Sequence, residues 1–89
     1  MKGTTKTGFK YSIDERVTKD WRFIGLTKQM TKGNNIEQFN ALDEALEMLL
    51  GGTEEKEKLL QHVEKDNDGY APIEKVVEEF NEIIGSIKN

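Results

Sequence analysis

Glu64, Asp66 and Asp68 alternate ahead of Gly69 in the stretch EKDNDGYAPIEK, residues 64–75. Carboxylates in that spacing could wrap a calcium ion. An EF-hand loop needs its glycine sixth of twelve positions and a bidentate glutamate at the twelfth. With Gly69 sixth, the three acids fall first, third and fifth, but the twelfth residue is Lys75, which cannot be a ligand. Pro72 suits the first turn of a helix and would start one too early for the loop to close on a cation. The stretch therefore reads as a joint between two helices. Asp66, Asn67 and Asp68 can bond local backbone, and Gly69 is free to take positive φ. No metal site is expected.

Other chemistry is sparse. The chain has no cysteine and a single histidine, His62. Disulfides, thiolate sites and cysteine nucleophiles are excluded, and one histidine cannot make a histidine-rich metal site. Ser12 and Ser86 stand in no motif, and His62 on an acidic helix reads as a surface residue. Gly51–Gly52 lacks the lysine and spacing of a phosphate loop. The expectation is a protein that is not an enzyme and carries no cofactor. Trp21 and Phe23 read as core. Phe9, Lys10, Tyr11, Arg16, Trp21 and Arg22 do interleave aromatics with positive charge, as single-strand nucleic-acid binders do. No nucleic-acid motif accompanies them, and the overall charge is −4. Nucleic acid is the second reading, behind a protein partner.

That charge is unevenly placed. Residues 1–33 hold eight Lys or Arg against three acids, +5; residues 34–89 hold five Lys against fourteen acids, −9. Either the basic part packs on the chain's own acidic helices, or it faces an acidic partner.

The 89 residues suit one domain, 1–89, with a modest core. Hydrophobic residues make up 35% and charged residues 34%, and no run approaches a membrane span. The opening MKGTTKTGFK lacks an apolar h-region, so no secretory signal is expected. In TTKTGFKYSID, Phe9, Tyr11 and Ile13 alternate with Lys10 and Ser12, the period of a half-buried strand. A turn near Thr7–Gly8 would make a hairpin over about 3–13. It must lie on the helices or pair with another chain, because isolated hairpins are marginal; a homo-oligomer is among the expected partners.

Four helices follow, over about 18–31, 36–50, 53–65 and 72–87, giving a predominantly helical α+β fold. Asp14 starts something helical, either as a cap or in a short turn. Asn34 or Asn35 caps the second helix, which Gly51 and Gly52 end. Thr53 caps the third, whose narrow apolar face is Leu59, Leu60 and Val63. In the second, Phe39, Leu42, Leu46, Leu49 and Leu50 form one stripe. In the fourth, Ile73, Val76, Val77, Phe80, Ile83, Ile84 and Ile87 do the same, which marks it as a main core element.

The first helix is different. Val17, Trp21 and Ile24 share one face if the helix reaches back that far, while Phe23, Leu26 and Met30 share nearly the opposite one. A helix with two apolar faces is central to a core or waits for a partner. Phe23, Leu26 and Met30 have the i, i+3, i+7 spacing of anchors in a helix-groove interface and are the candidate partner-binding residues. The alternative is that the hairpin covers them.

The order of segments adds a resemblance. A strand TGFKYSID leads to Asp20–Trp21 opening a helix, a second helix ends LLGG, a third contains LLQHVEKD, and NDGYAPIEKVVEEF enters the last. Over about residues 5–85 this resembles small tail-region proteins of long-tailed phages and prophages of Gram-positive bacteria, a group that looks like tail assembly chaperones. The chain departs from that group in its basic first helix and in TKQMTKGNN, which reads as a lengthened loop. The resemblance implies a cytoplasmic accessory protein in a bacterial host. It would bind the helical, aggregation-prone tape-measure protein while the tail tube polymerises, with no catalytic residues to carry over.

Overall fold

A computed structural model describes residues 1–31 and 35–87. The chain runs through β1 (Lys2–Thr4), β2 (Lys10–Ser12), a 3-10 turn (Glu15–Lys19), α1 (Trp21–Gln29), α2 (Asn35–Leu50), α3 (Thr53–Lys65) and α4 (Ile73–Ile87). It is an α+β fold, mostly helical, with the N-terminal hairpin and four α-helices expected from the sequence.

β1 and β2 pair antiparallel, with Gly3 opposite Tyr11. The alternation of β2 holds: Phe9, Tyr11 and Ile13 are buried, while Lys10 and Ser12 are exposed. Gly3 is required here, because a Cβ on it would run into the Tyr11 ring. The ring lies over that glycine, and its hydroxyl donates to Ser86 Oγ at 2.7 Å. Gly8 takes φ +97 in the connecting loop. That loop is fastened to α4, where the Lys6 amide donates to Glu82 Oε2 at 2.7 Å and the Thr7 hydroxyl to Glu79 Oε2 at 2.9 Å.

The first helix is shorter than the apolar pattern suggests. Asp20 sits in extended backbone, at φ −74 and ψ 138, and its side chain accepts from the amides of Arg22 and Phe23. That capping outweighs continuity with the preceding turn, so Val17 belongs to a separate 3-10 turn capped by Asp14. Val17, Trp21 and Ile24 therefore do not form one inward helical face. The inward face of α1 carries Phe23, Leu26 and Met30 instead, packed with the core cluster.

One capping expectation changes, and another rests on a residue that is not described. Gly52, not Thr53, stands before α3, with no side-chain cap bond. Asn35 is already helical, and Asn34 lies outside the described residues. Gly51 ends α2 at φ +99, as glycine does in the left-handed conformation.

The core gathers Leu42, Ala45, Leu46, Leu49 and Leu50 of α2, Leu59 and Val63 of α3, and Val76, Phe80 and Ile83 of α4 under the hairpin. One buried cation joins α3 to α2. Lys56 Nζ lies 2.7 Å from Asp43 Oδ1 and 2.6 Å from Glu47 Oε2. Those two bonds hold its ammonium above the ordinary value of 10.5. Both carboxylates remain partly wet, so Lys56→Met is expected to cost only about 1–2 kcal/mol in urea unfolding. A raised folded-state value means the stabilisation is complete below the unfolded value and fades as pH climbs through the folded one. The deficit of Lys56→Met should accordingly shrink in alkali above pH 10.5.

Candidate functional site

The apolar stripe of α4 is wider than its own chain can cover. A helix advances about 100° per residue. Val76, Phe80 and Ile83 fall on the flank against the core and are buried. Ile73, Val77 and Ile84 fall on the next flank, where they face a groove of about 820 Å³. Across the groove α1 presents Phe23, Ile24 and Met30, and α2 presents Phe39 and Leu42. The rings of Phe23 and Phe80 meet at 6.3 Å on its floor. Its rim is open: Ile24 is 42% exposed, Phe39 50% and Ile73 58%.

None of the fifteen described residues lining this groove is charged, although 34% of the chain is. The threonines among them are less polar than they read. Thr18, Thr27 and Thr31 each turn the hydroxyl back onto a carbonyl of their own turn, at 2.7–2.9 Å. The amides of Asn35, Gln38 and Asn81 remain to meet polar groups of an occupant. Such a surface favours a large apolar face and offers no charge to grip an ionic ligand.

The three residues singled out in sequence are divided by this geometry. Phe23 is buried and, with Met30, backs the groove; Leu26 packs on the core and does not line it. Phe23 and Met30 thus form part of the groove's wall. Phe39 and Ile73 belong in sequence to the long apolar stripes of the second and fourth helices, and Ile24 to one of the two faces of the first, because apolar periodicity cannot distinguish a face covered by the chain from one left bare.

The basic and aromatic first third does not assemble a stacking platform. Phe9, Tyr11 and Phe23 are buried, which leaves Trp21, 90% exposed, without aromatic company at the surface. Nor does any ion pair between described residues join a cation of residues 1–31 to the acidic helices. Among the described residues the only ion pair made by residues 1–31 is local, Arg16 with Asp14 at 2.7 Å. It holds the Asp14 carboxyl down at about 2, chiefly through the Arg16 side-chain hydrogen bond.

His62 is less peripheral than the sequence suggested. It is half-buried against the Phe9 ring, with Nε2 at 2.9 Å from Thr7 Oγ1. The Thr7 proton goes to Glu79, so Nε2 carries the hydrogen and donates to Thr7. Three elements meet at one hydroxyl, which makes this a fastening of the hairpin. Nothing in sequence links positions 7, 62 and 79.

Residues 66–69 form the joint. Asn67 Nδ2 donates to Val63 O at 2.7 Å, and Asp68 and Gly69 both take positive φ. Among the described residues no three His, Asp or Glu side chains are grouped to hold a metal ion, and no helix is long and apolar enough to cross a membrane. Calcium titration, followed by amide shifts from Asp66 to Tyr70, is expected to give only weak millimolar effects. A saturating micromolar transition would establish a site there.

Compared with known proteins, the chain matches no family model, no curated protein and no solved structure.

Proposed function

We propose that this protein is a non-enzymatic accessory protein that holds an amphipathic helix of a partner in the groove between α1, α2 and α4. The observation that carries the reading is an open apolar groove whose described lining residues are all uncharged, in a highly charged chain. An amphipathic helix laid in such a groove buries its i, i+3 and i+7 side chains and keeps its polar face in water. Following the resemblance of the segment order, the partner we propose is the tape-measure protein of a long-tailed phage or prophage. It would be bound in the bacterial cytoplasm while the tail assembles. A long helical protein with exposed apolar stripes has the chemistry this groove complements. The nucleic-acid reading has less support, because most of the aromatics it needs are buried.

Co-expression tests the proposal. The tape-measure protein should be insoluble alone and recovered as a soluble complex with this chain. If the two do not associate and solubility is unchanged, the assignment of partner fails.

A further inference from the structure

We propose that, when no client is present, the groove takes a second copy of this chain. In this two-fold pair Trp21 of each protomer seats on the groove of the other. Trp21, Ile24 and Lys28 follow one another at i, i+3 and i+7, so they form one lip of α1. Ile24 is at once a member of that lip and a rim residue of the groove. A projecting apolar group and an apolar hollow thus adjoin on a single face, which is what an isologous contact requires.

The charges are self-complementary as well. α1 contains Arg22 and Lys28 and no acid. On the α4 side of the groove, Glu74 follows the rim residue Ile73 and is exposed, while Glu78 turns away and pairs with Lys75 at 3.9 Å. A two-fold axis running along the groove lays the α1 lip of each protomer over the α4 lip of the other. Trp21 then covers the apolar flank, and Lys28 comes within reach of Glu74. Trp21, Ile24, Phe39 and Ile73 together expose on the order of 500 Å² of apolar surface per protomer, or roughly 1,000 Å² per pair, near the lower bound for a specific interface. The dimer is therefore weak and dissociates on dilution, which leaves the groove available to a client.

The pairing does not rest on the client reading, and it is measured on the protein alone. Sedimentation equilibrium from low micromolar to millimolar concentration should show a monomer–dimer transition. Trp21 is the sole tryptophan, so its emission should move to shorter wavelength across the same range. Trp21→Ala should weaken the dimer about 30-fold or more, as loss of a central aromatic does. The native fold is checked by circular dichroism, and Trp21, being exposed, contributes little to it. Lys28→Glu alone and Glu74→Lys alone should each weaken pairing, and the combined variant should restore it. A monomer at millimolar concentration, an unchanged dimer in Trp21→Ala, or no rescue by the combined charge exchange overturns the proposal. Client capture, assayed with the monomeric Trp21→Ala protein, fails or succeeds separately.

Discussion

Phe80→Ala is expected to lower stability by about 3–5 kcal/mol, the usual cost of emptying a buried phenylalanine site. Phe80 is 4% exposed and closes the core where α4 meets α1, ring to ring with Phe23. A domain of this size holds only about 4–13 kcal/mol in total, so the variant should be partly unfolded near 37 °C. Urea unfolding followed by circular dichroism measures the loss. The informative control is Ile73→Ala, on the same stripe but 58% exposed on the groove side. It should cost less than about 1 kcal/mol, since little of its surface leaves water on folding. A Phe80→Ala loss under about 1 kcal/mol would show that the α4 stripe is not core. Equal losses at both positions would show that the stripe is not divided between core and groove.

That division marks where sequence reading works and where it stops. Alternation in Phe9–Ile13 and the spacing of Leu42, Leu46 and Leu49 reveal strand and helix because each period matches a backbone repeat. Gly51 and the Asp66–Gly69 joint are legible because they depend on local backbone conformation. The break at Asp20 is legible only in part. An aspartate ahead of an apolar run signals a cap, but whether the cap interrupts or merely decorates a longer helix depends on the energy of two amide bonds against one more turn. What no local signal carries is the coverage of a face. Ile73, Val77 and Ile84 look in sequence like Val76, Phe80 and Ile83. Their different fates are set by how far α4 stands from α1 and α2, a tertiary distance. The same holds for Thr7, His62 and Glu79, whose meeting depends on the hairpin folding back onto α3 and α4. Phe23, Leu26 and Met30 share one face of the first helix, but whether each backs the groove or only the core depends on the neighbouring helices: Phe23 and Met30 line the groove and Leu26 does not.

Phe39→Glu is expected to abolish client capture, with at least a 30-fold loss of affinity, about 2 kcal/mol. Phe39 stands half-exposed on the α2 side of the groove, so the fold should lose no more than about 1 kcal/mol when it is replaced. The effect on binding is larger for an electrostatic reason. Among the described residues the groove lining offers no cation, so a carboxylate covered by an apolar helix loses water and gains no partner there. Phe39→Leu keeps an apolar rim and should retain most of the affinity, which separates the charge from the loss of ring area. The pattern across three variants then identifies the surface. Trp21→Ala should lose self-association and keep the client, because Trp21 stands outside the lining. Phe39→Glu should lose both, and Phe39→Leu neither. A pull-down and a fluorescence titration with the partner's helical segment measure each. If Phe39→Glu binds the client as well as the unaltered chain does, the groove between α1, α2 and α4 is not where the client sits.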